Sequence, residues 1–209
     1  MSAGPVIDRL LKLHHQELAA YDNLQSPLGS NNVKYNTWYY GRKVSGAEYM
    51  WCGAYQSWIT AMGGIGMHIY PKAAGVMFVH KFFKDAGRIF QTPKVGDYVI
   101  FIFSADKHHI GFVEQLESDG KHFKSIEGNV SNRVMRIRHR QGDPGIVGYA
   151  RPDYDSVEDD MTKDELIDVL RSGFTPGEQI TTVNEWAAQL NEVKRQVAEI
   201  KQMLQQMQH

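Results

Sequence analysis

The chain has a single cysteine, Cys52, among 209 residues, so neither an internal disulfide nor a cysteine-based zinc site can be built from it. A His-Glu-x-x-His pattern is also missing, and the adjacent pairs His14-His15 and His108-His109 diverge in direction, so neither a metal nor another cofactor is expected. Long apolar runs are missing too: no stretch approaches the ~18 uninterrupted apolar residues of a membrane span. Met1 to Leu13 mixes Leu and Ile with Asp8, Arg9 and Lys12 and lacks a small-residue cleavage site, so no Sec-type signal is expected and the chain reads as soluble and made in a cytosol. Surplus charge of one sign is lacking. The 23 Lys plus Arg against 24 Asp plus Glu give a net charge of -1, which excludes the basic footprint of a nucleic-acid binder. Glycine and proline, 19 and 7 residues, are not in excess, which excludes low-complexity and collagen-like chains. What is present is 42% hydrophobic content, enough for a core, in a length that predicts one domain of about 150 residues plus an appendage.

Val6, Leu10, Leu11, Leu13 and Leu18 follow Pro5 at helical spacing and predict an amphipathic helix over residues 5–20. The polar stretch 26–36 reads as a loop carrying the aromatic run Trp38, Tyr39 and Tyr40. Residues 51–62 read as a helix stopped by Gly63 and Gly64, with Cys52 in its first turn, and a second helical piece follows near 75–86. Beyond Thr92-Pro93-Lys94-Val95-Gly96-Asp97 the pattern changes. Residues 98–103, 110–116, 123–127, 134–138 and 146–149 are short β-branched and aromatic runs separated by turn residues, which predicts a short-stranded antiparallel sheet. Helices followed by strands give an α+β domain over residues 1–154. An acidic linker at 155–161 leads to a helical tail at 162–209. In that tail Val183, Trp186, Leu190, Val193, Val197, Ile200, Leu204 and Met207 alternate at intervals of three and four. Such a stripe over 183–207 predicts a coiled coil and a homo-oligomer, the alternative being a helix docked on its own domain.

A thiolate at a helix start is stabilised by unsatisfied backbone N–H groups and the helix dipole. Cys52 has that placement, although a lone cysteine beside Trp51 reads first as an inert buried thiol until a base is found. Nucleophilic cysteine chemistry needs a histidine and a polar group to orient it. Among nine histidines only His108 and His109 precede a strand, in His109-Ile110-Gly111-Phe112-Val113-Glu114, where Gly111 permits close approach of a backbone or ligand. The next strand ends Ser125-Ile126-Glu127-Gly128-Asn129. Glu127 and Asn129 are two apart, share a face, and could both meet His109; the alternative is an ordinary turn with a solvated glutamate.

Together, Trp51-Cys52-Gly53-Ala54-Tyr55-Gln56-Ser57-Trp58, Thr92-Pro93-Lys94-Val95-Gly96-Asp97, His109-Ile110-Gly111-Phe112-Val113-Glu114 and Ile126-Glu127-Gly128-Asn129 resemble, in order and spacing, the CHAP family of cysteine amidohydrolases/peptidases. Asn31-Asn32-Val33-Lys34-Tyr35 and Trp38-Tyr39-Tyr40-Gly41 are similar to the segment before the nucleophile in CHAP domains of phage endolysins. The resemblance covers about residues 5–154. It implies a papain-like fold, Cys52 as nucleophile, His109 as general base selected over His108, Glu127 orienting the imidazole, and Asn129 as a further polar residue at the histidine or the oxyanion. Gly53 and Gln56 depart from the family's more uniformly small, apolar segment, so the packing behind the nucleophile is expected to differ. Some CHAP domains bind calcium just before the cysteine, but residues 22–51 offer only Asp22 and Glu48, so no calcium site is expected.

The implied activity is hydrolysis of an amide bond in bacterial peptidoglycan, by an N-acetylmuramoyl-L-alanine amidase or an endopeptidase of phage-endolysin type. Such an enzyme would be held in the host cytoplasm until lysis, or carried in the virion, and would then act on the wall. A CHAP-fold amidase of a small intracellular amide, and a non-catalytic wall-binding or virion module, remain open from the sequence.

Overall fold

Pro5 occupies the first helical position of α1 (Pro5–Ala19), where its missing N–H costs nothing, and Val6, Leu10 and His14 fall on the buried side. This computed structural model describes residues 4–20 and 29–157. Three more helices follow: α2 (Lys34–Tyr40), α3 (Cys52–Met62) and α4 (Val76–Asp85). Helix α2 lies where the sequence suggested a loop and its aromatic run, because two asparagines fix a local fold that propensity does not reveal. Asn31 adopts a φ of 56° and donates to Gly46 O at 3.0 Å. Buried Asn36 donates to Asn31 O at 2.9 Å and to Tyr49 O at 2.8 Å. Tyr35 stacks on Trp51 with centroids 5.4 Å apart. Helix α2 therefore pins the strand-less approach to Cys52.

The sheet is antiparallel and six-stranded: β1 (Ile89–Phe90), β2 (Tyr98–Ile102), β3 (His108–Leu116), β4 (His122–Val130), β5 (Arg133–Arg140) and β6 (Ile146–Ala150), in the order β1-β6-β2-β3-β4-β5. The five expected strands are all present. The two-residue β1 is an addition too short for a periodicity to register, and β3 begins two residues early, so that both histidines lie on the strand. Val130 pairs with Arg133 across Ser131 and Asn132, whose φ values of 49° and 60° give the tight hairpin turn that matches strand twist.

Alternation gives the sheet two distinct faces. Tyr98, Ile100, Ile110, Phe112, Ile126 and Ala150 join Leu10, Tyr55, Ile59, Val79 and Phe83 of the helices in the main core. Val99, Phe101, Val113, Phe123 and Tyr149 form a second cluster on the opposite face. Asp97, at the start of β2, closes a turn by accepting from Lys94 N at 2.7 Å. It also takes Arg151 in a two-pronged bond, both contacts 2.8 Å, tying β2 to the end of β6. Gly96 has a φ of 94°, and a Cβ there would come within 2.8 Å of Ile7; the Thr92–Asp97 motif thus seats α1. Tyr154 and Val157 pack on the main core. The remaining linker and the heptad stripe fall outside the described residues. Among the described residues no helix is long and apolar enough to cross a membrane.

Candidate active site

Cys52 is the first residue of α3, after Trp51, whose side chain makes no capping bond. The first N–H groups of a helix have no intrahelical acceptor, and the residue at this end carries a buried free thiol. What holds α3 in place explains the two departures noted above. Gly53 is required because a Cβ would stand 2.2 Å from Ala74 O. Gln56 donates to Ile126 O of β4 at 3.1 Å. Ser57 donates to Ala73 O at 2.7 Å and accepts from Ala73 N at 2.9 Å. Gly128 sits against Tyr55, 2.7 Å from where its own Cβ would be. The polar and glycine positions therefore replace apolar packing with direct anchoring of α3 to the 73–74 segment and to β4.

His109 pairs with Phe101 across the ladder and Glu127 pairs with Gly111, so the two side chains rise on the same face, two residues apart along β3. His109 Nε2 donates to Glu127 Oε2 at 2.9 Å, and the same ring interacts with the thiol of Cys52 at the end of the sheet. The carboxylate reaches His109 by crossing Gly111, where a Cβ would lie 2.7 Å from Glu127 Cγ and 3.1 Å from its Oε1. Gly111 thus admits a side chain of the neighbouring strand, neither backbone nor ligand.

Electrostatics follow from burial and pairing. Burial opposes charge on His109, but hydrogen bonding and negative charge from Cys52 and Glu127 outweigh it and push the imidazole up to about 10 from 6.5. Burial likewise opposes charge on Glu127, yet His109, His139 and Ser125 hold the carboxyl down at about 2 from 4.5. At neutral pH the site holds an imidazolium against a carboxylate.

Two partners of Glu127 were not foreseen. His139 Nε2 donates to Oε1 at 2.6 Å and Ser125 Oγ donates to the same oxygen at 2.5 Å. Ser125 is two residues before Glu127 and so shares its face by simple alternation. His139 lies one residue beyond the strand end expected at 138; counting Met135, Ile137 and His139 along β5 would have placed it opposite Phe123. Asn129 does not extend the constellation as strand alternation suggested. A register shift between Glu127 and Val130 and a φ of 64° at Asn129 break the alternation, and its amide lies 3.7 Å from Met50 Sδ. That places it beside the segment preceding Cys52, with its bond to Met50 rather than to His109. His108, paired with Ile102, alternates to the other face.

Among the described residues one cluster has metal-ligand chemistry, Glu117, Asp119 and His122. It lies at the far end of β3 and β4, and Arg138 binds both oxygens of Glu117 at 2.9 Å.

An α+β domain that sets a helix-start thiol against a carboxylate-held imidazole has the frame of a cysteine hydrolase. Residues 44–129 match the family model of the CHAP domain, a cysteine amidohydrolase/peptidase domain found in peptidoglycan hydrolases. The match spans Cys52, His109, Glu127 and Asn129. No curated protein and no solved structure matches the chain. The domain supports an activity of the peptidoglycan hydrolase or amidase type.

Proposed function

We propose that the chain hydrolyses an amide bond of peptidoglycan by cysteine nucleophilic catalysis, as a phage-type endolysin. The observation that carries the reading is the His109–Glu127 bond of 2.9 Å on the ring that also contacts Cys52. The Cys52 sulfur, its proton taken by His109, attacks the amide carbonyl carbon, and the tetrahedral oxyanion forms beside the backbone N–H groups that open α3. The imidazolium returns the proton to the leaving amine, the C–N bond breaks, and a thioester remains. Water, deprotonated by His109, then cleaves the thioester and frees the thiol. Glu127 keeps Nε2 occupied and stabilises the charged ring, which leaves Nδ1 for the thiol. Asn129, beside Met50, is read as a substrate-side or oxyanion donor.

The endolysin assignment rests on the likeness of residues 31–41 to the segment before the nucleophile in endolysin CHAP domains. The heptad stripe at 183–207 is proposed to join several chains, so that weakly acting domains gain avidity for a polymeric wall. Light scattering of the full chain against a truncation at Ser172 tests that point, and a monomeric full chain would refute it. For the chemistry, dye release from labelled peptidoglycan sacculi should be lost in Cys52→Ser and after iodoacetamide, and retained in EDTA. Release by Cys52→Ser at the wild-type rate would refute the assignment.

A further inference from the structure

Glu127 is held by one histidine more than the proposed reaction uses. An ionised carboxylate only accepts, so each of its three partners must donate: His109 Nε2–H to Oε2, and both His139 Nε2–H and Ser125 O–H to Oε1. The set fixes the hydrogen on Nε2 of both rings. The His139 side chain is 15% exposed and that of Glu127 is 4% exposed, so the bond is shielded from water. The ring is itself held. It lies between Phe101 of β2, 5.0 Å away at 47°, and Phe123 of β4, 5.3 Å away at 31°. It comes from β5, which supplies no other residue to the site, and its backbone position opposite Phe123 puts it two residues along the sheet from Ser125.

We propose that His139 is a positioning residue for His109: its Nε2–H fixes Glu127 Oε1 so that Oε2 stays on the imidazole. The inference rests on the reading of Glu127 as the group that orients His109. The need for a pin follows from Gly111. Because that residue has no Cβ, the Glu127 side chain lies directly over the β3 backbone, and this close packing fixes its path without fixing the rotation of its terminal carboxylate, which is set by what its oxygens bind. With His139 removed, Ser125 alone holds Oε1, and the carboxylate can rotate away from His109. The ionisable groups at this carboxylate are His109 from β3 and His139 from β5, with Cys52 of α3 behind His109. From β2 and β4 the ring neighbours of His139 are the apolar Phe101 and Phe123.

The test compares His139→Phe, which keeps a ring between the two phenylalanines but donates nothing, with His139→Gln, whose amide N–H reaches about as far as Nε2. Both are made in the full chain. Two readouts are taken: kcat and KM for dye release from labelled sacculi, and the rate of Cys52 alkylation by iodoacetamide against pH, which needs no substrate. His139→Phe should lower kcat about tenfold, the loss that removing one hydrogen bond to a charged group carries, with KM unchanged. It should also displace the alkylation profile, and His139→Gln should restore most of both. Should the Phe variant fail to fold, His139→Met takes its place. A folded donor-less variant with wild-type kcat and profile, a change in KM alone, or a Gln variant no better than Phe would overturn the proposal. Glu127→Gln separates the two readings: if it is damaging while the His139 variants are neutral, only the role of His139 fails. If it is itself neutral in both readouts, the orienting role of Glu127 fails with it.

Discussion

Replacing Gly111 by Ala adds one methyl group at the most constrained point of the site. The new Cβ would lie 2.7 Å from Glu127 Cγ, 3.1 Å from Oε1 and 3.2 Å from Cδ, closer than carbon and oxygen atoms tolerate, so the glutamate must move. It cannot move freely, because three donors hold its carboxylate. Overpacking of this kind costs ~1–3 kcal/mol, while exchanging Gly for Ala in a strand returns at most ~1 kcal/mol. The net loss lies between ~0 and ~3 kcal/mol, and its middle range of ~1–2 kcal/mol predicts a fall in Tm of roughly 2–8 °C for a domain of this size. Displacing Oε2 from His109 removes a hydrogen bond between charged groups, worth ~1.5–3 kcal/mol, which predicts a ~10- to ~100-fold lower kcat. Thermal melts and dye release from sacculi read the two effects separately. A cycle with Glu127→Gln shows whether they share a cause: with the carboxylate gone, adding Gly111→Ala should cost far less in kcat than it does alone. Additive losses would place the effect of Gly111 elsewhere, and wild-type kcat in the single variant would refute the idea that the missing Cβ is what lets Glu127 reach His109.

Three further outcomes are expected. His109→Ala should abolish turnover while His108→Ala retains most of it, since the two alternate to opposite faces of β3; equal losses in a turbidity assay would contradict the strand geometry. Arg151→Leu should destabilise the fold by ~3–5 kcal/mol, because it strands the buried Asp97 carboxylate that Arg151 grips, with the kcat of the folded fraction unchanged; a loss under ~1 kcal/mol in urea titration would show that the pair is dispensable. His109 is raised to about 10 from 6.5, so its contribution to stability is complete below about 6.5 and is lost as pH rises through about 10. Glu127, lowered to about 2 from 4.5, contributes fully above about 4.5 and loses that contribution as pH falls through about 2. The stability gap between wild type and Glu127→Gln should therefore be widest between about pH 4.5 and 6.5 and narrow on either side; a gap independent of pH would refute the charged pairing.

Much of the fold was legible because it follows simple periods. The stripe in α1, the Gly63-Gly64 stop after α3 and the alternating runs of β2 to β6 each carry their own signal. Helix α2 was not legible, since its seven residues KYNTWYY have no long stripe and depend on buried bonds of Asn36 to the 31 and 49 carbonyls. At the site, a helix start and two neighbouring strands nominated Cys52, the His108-His109 pair and Glu127, and the resemblance to the CHAP family selected among them and gave each its role. Asn129 was placed by extending strand alternation through a bulge that no local residue announces. His139 was missed because its partner is an acid on another strand, and a pairing register is a long-range property. Gly111 was noticed, but what passes over it depends on the same register.

The central claim is that Cys52, drawn into chemistry by the His109–Glu127 pair, opens an amide bond of the wall polymer. Mass spectrometry of purified peptidoglycan after digestion by the wild-type chain and by Cys52→Ser tests it most directly. The wild type should yield fragments that have gained one water, each with a new amine and a new carboxylate at one type of amide bond, and Cys52→Ser should yield none. A new reducing sugar end in place of the amine, or the same amine from Cys52→Ser, would contradict the account.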